Sequence, residues 1–246
     1  MGIFLHQSLI EKIHASWKRK PLLRKVYGDF YSLIIKHLSH LPKSKIVELG
    51  SGLGSIKAVI PSCIRTDLFS FPWIDQIENA YNLSFEDNSV SDLIMIDVFH
   101  HLRYPGTALD EFHRVLRLGG HAIMLEPYIS LLGSFIYGPL HAEPIGLFQE
   151  IEWLAPSGWS TENVDYYSAQ GNALRSFFGK NVGEKLNGWK TVKTIRLSAL
   201  TYIASGGYSK PQFYPRTAFP IVKGLEKILD ILPALFATRT LIVLEK

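Results

Sequence analysis

The chain has 246 residues, 47% hydrophobic and 20% charged, with a formal net charge of +4. This excludes a disordered or fibrous chain and provides apolar mass for one main domain with additions. The single cysteine, Cys63, excludes an internal disulfide and a cysteine-built zinc site.

Residues 1–45 hold nine Lys/Arg against two Asp/Glu, a net of +7 that leaves −3 for the rest. A basic arm on a mildly acidic body suits an anionic partner, such as a phosphate-bearing substrate or a membrane surface, and equally a solvated helix face. The opening MGIFLHQSLIEKIH contains no hydrophobic run of signal-peptide length, so the expected location is cytoplasmic, either free or resting on a membrane.

Residues 7–40 carry apolar side chains at spacings of three and four, from Leu9, Ile10, Ile13 and Trp17 to Phe30, Tyr31, Ile34 and Leu38. They predict two amphipathic helices broken at Pro21, forming an N-terminal helical cap over residues 1–43 that lies across a sheet edge or the mouth of a site. From Lys45 strands and helices alternate. KIVEL and CIRTDL read as strands with a brief helix, SIKAVI, between them, and a weaker strand lies around Trp73–Asn79. SDLIMIDV reads as a buried parallel strand, TALDEFHRVLRL as a helix, and GHAIMLEP as a strand entered through a Gly-Gly turn. This order predicts an α/β, doubly wound, Rossmann-like, mostly parallel sheet over residues 44–246. Residues 128–188 are aromatic-rich and loosely patterned. TVKTIRLSAL and TLIVLEK then read as two strands pairing at the sheet edge, separated by a long insertion, residues 203–238, that forms a lid or a docking surface.

In IVELGSGLGS, at residues 46–55, glycines follow a strand and allow close backbone approach and positive φ. The dinucleotide fingerprint G-x-G-x-x-G fails, because Ser55 stands where its third glycine belongs. Asp67 closes the second strand, where a carboxylate can accept two ribose hydroxyls. The series ELGSGLG at 48–54, Asp67, NLSFEDNSVSDLIMIDVFHHL at 82–102 and RVLRLGGHAIMLEP at 114–127 resembles the class I S-adenosyl-L-methionine (SAM)-dependent methyltransferases. The nearest branch acts on small molecules and includes the type 11 and ubiquinone and menaquinone enzymes.

The resemblance implies SAM as cofactor, with Gly50, Ser51, Gly52 and Gly54 under its methionine part and Glu48 near the amino group. It also implies Asp67 on the ribose, Asn79 and Ala80 at the adenine-reading positions, and Asp97 at the end of the fourth strand. Only LFSFP separates Asp67 from Trp73, so the helix the family carries there is expected to be missing.

SAM brings its own reactivity, so strong catalytic motifs are not required. If the acceptor is a hydroxyl, a general base helps and histidine suits the task. The candidates are His101 first, with His100 beside it just beyond the fourth strand, then His141 and Glu143 in HAEPIG. Among the aromatics Tyr128, Phe135, Tyr137, Phe148, Trp153, Trp159, Tyr166 and Tyr167, packing of a cap is the bland reading, and Tyr128 is the best candidate for an acceptor pocket. The expected function is SAM-dependent methylation, taken as O-methylation, of a small-molecule, sugar or lipid-linked glycan acceptor. A non-catalytic SAM-binding protein and an RNA-directed enzyme are the alternatives, and no DNA partner is expected. Leu225, Ile228, Leu229, Ile231, Leu232 and Leu235, beside Lys223, Glu226, Lys227 and Asp230, form an amphipathic stretch that either buries its apolar face on the domain or makes a peripheral membrane contact.

Overall fold

The computed structural model describes residues 13–141, 143–147, 149–162, 167–178 and 182–246. Leu9, Ile10, Phe148 and Tyr166, given helical or aromatic roles above, lie outside the described residues.

Among the described residues seven strands form one sheet: β1 (Ile46–Leu49), β2 (Ile64–Asp67), β3 (Gln76–Ile77), β4 (Val90–Ile96), β5 (Leu116–Pro127), β6 (Lys190–Leu197) and β7 (Arg239–Glu245). Their order is β3-β2-β1-β4-β5-β7-β6. β1 to β5 pair in parallel, and β7 enters antiparallel between β5 and β6. The sheet is the doubly wound one expected, with its two late strands paired at the edge.

Alternation along the strands divides the core. Val47, Leu93, Ala122 and Leu244 face helix α3 (Pro105–Val115), which contributes Ala108, Leu109, Phe112 and Val115. Ile46, Ile94, Ile123, Leu241 and Val243 face helix α2 (Pro21–Ile35). The helical residues 13–19, α1, precede α2, and the break falls at Pro21 as expected. α2 lies on the face of the sheet rather than across an edge: Leu22, Leu23, Val26, Tyr27, Phe30, Tyr31 and Ile34 are all buried. Its apolar stripe covers the side of the sheet that Ile46, Ile94, Ile123 and Leu241 present from four strands.

Three local expectations change. SIKAVI shortens to a single 3-10 turn, Ser55–Ala58. The helix read through Leu118 stops at Val115, because Leu116 pairs with Val90 and β5 begins there. The Gly-Gly pair therefore lies inside β5 at a bulge, with Gly119 at φ +76° and Gly120 leaving no room for a Cβ against the Ser91 carbonyl. Residues 68–75 contain no helix, as the spacing predicted. This short crossover is pinned by Asp75, whose carboxylate accepts from Arg65 Nε at 3.1 Å and Nη2 at 2.9 Å and from Lys57 Nζ at 2.9 Å.

After β5 come α4 (Leu131–Tyr137), α5 (Asn172–Phe177) and α6 (Val182–Lys185). Between β6 and β7 lie α7 (Leu200–Ala204), α8 (Phe219–Leu229) and α9 (Pro233–Phe236). Of the two fates expected for the apolar side of the insertion, burial is limited to part of it. α8 buries Phe219 and Glu226, while Ile221, Leu225, Ile228, Ile231 and Leu232 are exposed. Among the described residues no helix is long and apolar enough to cross a membrane.

Candidate active site

β1 ends in a backbone bend built from Gly50, Gly52 and Gly54, at φ +63°, +52° and +63°. At Gly50 a Cβ would come within 2.5 Å of Val98 Cγ2, so glycine is required there for packing as well as for φ. At Gly52 a Cβ would meet nothing within 4 Å, so the bend faces open space. Ser51 stitches the turn to both strands: its N–H donates to the Thr66 carbonyl at 2.8 Å and its hydroxyl to the Glu48 carbonyl at 3.2 Å.

Asp67, at the end of β2, is oriented by two backbone donors, the Gly52 N–H at 3.0 Å and the Phe69 N–H at 3.1 Å. Its carboxylate is thus held against the glycine bend. Trp73 crosses the same bend, donating from Nε1 to the Gly52 carbonyl at 2.6 Å and stacking on Phe71. Glu48 is buried beneath; Tyr31 of α2 donates to its Oε1 at 3.3 Å, and its Oε2 has no hydrogen-bond partner among the described residues. Burial pushes the Glu48 carboxyl up to about 7, against the opposing pull of Ser51 and Tyr31.

The remaining expected cofactor positions are less open. Asn79 uses its side chain locally, donating to the Thr161 carbonyl at 2.9 Å and accepting from the Tyr81 N–H at 3.1 Å, and Ala80 packs on the α3-side core. Asp97, at φ +59°, pairs with the buried Arg239, whose guanidinium lies 4.4 Å from the Tyr202 ring centroid. The Asp97 carboxylate outweighs burial and holds Arg239 fully charged.

A second group of polar side chains gathers beyond β4. His100 is 2% exposed; its Nδ1 lies 2.7 Å from Glu126 Oε2, while Glu126 Oε1 accepts the N–H groups of Val98 and Phe99 at 2.9 and 2.8 Å. Burial alone lowers the His100 pKa, but the Glu126 carboxylate outweighs it and raises the value to about 10. That removes His100 from the role of general base near neutrality. His101 Nδ1 bonds the Tyr167 carbonyl at 2.9 Å, and burial followed by the charge of His100 lowers its pKa. Glu143 lies beside both rings, 3.4 Å from His100 Nε2 and 3.9 Å from His101 Nε2. His141 stands apart, exposed, with Nδ1 accepting the Glu143 N–H at 3.2 Å and its ring against Tyr137.

Tyr128 is packed rather than lining an opening: it is 7% exposed, edge-on to Phe178 and under the Arg196 guanidinium. Trp159 likewise packs edge-on against Tyr81 and Tyr104. Sequence reasoning missed Glu126, Gln170, Trp73 and Arg239. A glutamate ending an otherwise apolar strand, MLEP, was the one legible signal among them.

Residues 65–124 match the sequence profile of the methyltransferase domain family. That match runs from β2 into β5, and the sheet around it has the fold of class I SAM-dependent methyltransferases. Solved methyltransferases share its fold. The geranyl diphosphate C-methyltransferase of Streptomyces coelicolor, crystallised with Mg2+, geranyl diphosphate and S-adenosyl-L-homocysteine, is 12% identical with a TM-score of 0.54, over 90% of this chain and 80% of that one. A chain from the complex of the Haloferax volcanii Trm112 methyltransferase activator with a candidate methyltransferase is also 12% identical, with a TM-score of 0.52 over 97% and 94%. A SAM-dependent methyltransferase from Archaeoglobus fulgidus gives 12% and 0.52 over 91% and 94%. No curated protein matches the chain in sequence.

Proposed function

We propose that this enzyme transfers the methyl group of SAM to an oxygen atom of a small-molecule, sugar or lipid-linked glycan acceptor. The observation that carries the cofactor reading is one constellation: open space above Gly52, the Asp67 carboxylate fixed at its rim, and a buried Glu48 oxygen lacking a donor. Each matches a part of SAM. An unpaired buried carboxylate oxygen fits the ammonium of a methionine moiety, a rim carboxylate fits ribose hydroxyls, and a turn without side chains fits the chain between them.

The bound cofactor supplies a methyl group on a sulfonium, already activated for transfer to a nucleophile. The protein's own residues then hold donor and acceptor in line and exclude water. Gly50, Ser51, Gly52 and Gly54 set the floor, Asp67 and Glu48 orient the cofactor, and Asp97, Asn79 and Ala80 shape the walls. His101 and Glu143 face the acceptor, on the side reached from the carboxyl ends of the strands.

Calorimetry with SAM and S-adenosyl-L-homocysteine tests this. Asp67→Ala should weaken both by about 10- to 100-fold, the worth of a hydrogen bond to a charged group. Gly52→Val should weaken them as well, because a β-branched residue resists φ +52°. Unchanged affinity in both variants removes the site.

The exposed apolar residues favour a second element. Leu131 and Phe135 of α4 lie on the neighbour of α9, near Ile231, Leu232 and Leu235, and all five are exposed. On α8 itself Ile221, Leu225 and Ile228 are exposed, and Lys223, Lys227 and Phe219 of that helix line a surface hollow with Lys25. Apolar side chains next to lysines suit the boundary of an anionic membrane, from which a lipid-linked acceptor would be reached. Vesicles with anionic lipid should co-sediment the wild type, and Ile231→Asp with Phe135→Asp should abolish it; sedimentation unchanged by both substitutions rejects the contact.

A further inference from the structure

The group beyond β4 has features that methyl transfer does not require. His100 and His101 come from the 3-10 turn Phe99–His101, Glu143 from the loop after α4, and Gln170 from the segment before α5. Three separate stretches of chain are fastened together there. The Ala169 N–H donates to the His100 carbonyl at 3.0 Å, and Ile145 and Gln170 form a parallel bridge that holds Glu143 in place.

Each imidazole is oriented through Nδ1, His100 by the Glu126 carboxylate and His101 by the Tyr167 carbonyl. A backbone carbonyl only accepts, so the His101 proton resides on Nδ1 and its Nε2 presents a lone pair. That lone pair is turned toward Glu143 Oε1 at 3.9 Å. His100 Nε2 lies 3.4 Å from Glu143 Oε2, and a cation bound there would displace the proton that the flanking carboxylates favour. One donor atom from each of the three residues lies within 4.8 Å of the others. Metal bonds of about 2.1 Å place neighbouring ligand atoms about 3.0–3.4 Å apart, so small side-chain rotations close the set. Gln170 adds a further donor: its amide nitrogen bonds Glu143 Oε2, and its Oε1, in a residue 2% exposed, has no partner among the described residues.

We propose that His100 Nε2, His101 Nε2 and the Glu143 carboxylate bind one divalent first-row transition cation. Two imidazoles and a carboxylate select Zn2+, Fe2+ or Mn2+ over Mg2+, which prefers an all-oxygen shell. Glu126 and the Tyr167 carbonyl are the outer partners that fix ring orientation, as metal-bound histidines require. The His101 and Glu143 side chains are one-third and one-quarter exposed, so the cation keeps an open side for water or an oxygen atom of the acceptor. The site adjoins the glycine bend through Val98, the residue that packs on Gly50. With a cation present, His101 holds metal and does not take the acceptor's proton.

The test uses tag-free full-length protein, stripped with a chelator and titrated with Zn2+ by calorimetry and with Co2+ by visible absorption. One equivalent should bind at micromolar or lower concentration, with Co2+ showing d–d bands. Glu143→Gln, which keeps shape, and His101→Ala should each weaken binding at least tenfold. Glu126→Gln should weaken it by about 10- to 100-fold. His113→Ala, on α3, should bind as wild type, which separates the site from general histidine affinity. Asp67→Ala should lose SAM and retain the metal, so failure of either site is seen independently. Absence of stoichiometric binding to the wild type at millimolar cation overturns the proposal, as does binding unchanged in both Glu143→Gln and His101→Ala.

Discussion

Helices α2 and α8 carry the same kind of pattern, apolar residues three and four apart with lysines between them. α2 buries seven residues on the sheet, whereas α8 buries one phenylalanine and one glutamate and leaves its isoleucines in solvent. The difference is one of opportunity. α2 precedes β1 and covers the open face over Ile46, Ile94, Ile123 and Leu241. α8 comes late, beyond α7, when that face is taken, and it is anchored by polar contacts instead. Glu226 accepts from the Thr201 N–H at 3.1 Å and from Lys223 Nζ at 2.8 Å, and the Glu226 carbonyl accepts the Ser198 hydroxyl at 3.2 Å. A hydrophobic stripe says that a face exists, and only the rest of the chain says what covers it.

The comparison is broken most easily by stability measurements. Phe30→Ala in α2 should cost about 3–5 kcal/mol in urea unfolding, the range for deleting a buried aromatic ring. Ile228→Ala in α8 should stay within about 0.5 kcal/mol. Equal losses would mean that α8 is packed after all.

A somewhat smaller effect comes from Glu48, held by Tyr31 of α2. Its folded pKa is raised from 4.5 to about 7, so the stabilisation belongs to the protonated form. It is fully present below pH about 4.5 and lost as pH rises through about 7, an effect of up to about 3 kcal/mol. Glu48→Gln should flatten the pH dependence of thermal unfolding between those limits. A profile as steep as wild type would assign the titration to another group. A further loss is expected at the polar anchor of α8. Glu226→Gln should cost about 1–3 kcal/mol, the range for a buried hydrogen-bonded group that loses its charge. A neutral result would show that α8 needs no polar anchor.

The parallel half of the fold was legible because its signals are local. SDLIMIDV carries a continuous apolar run, LIMI, at its centre, as a strand covered on both faces does, and the spacing between Asp67 and Trp73 was too short for a helix. The glycine bend and Asp67 were legible for the same reason: φ values near +60° and a strand-end carboxylate leave marks at single positions. The pocket role expected for Tyr128 was not supported by its packing, and Asn79 proved to be engaged locally, because neither fate is written in the residue itself. Glu126 and Gln170 escaped notice since each matters only through contacts with residues about 26 or 27 positions away in the chain.

By itself the sequence determined the order of strands and helices, the glycine turn and the carboxylate beside it, since each depends on backbone conformation or on a period within a few residues. Only the tertiary structure decided that two histidines and a distant glutamate converge, that Asp97 is matched by Arg239, and that α8 keeps its apolar side in solvent. Convergence and coverage depend on which segments meet after folding, and no local propensity carries that information.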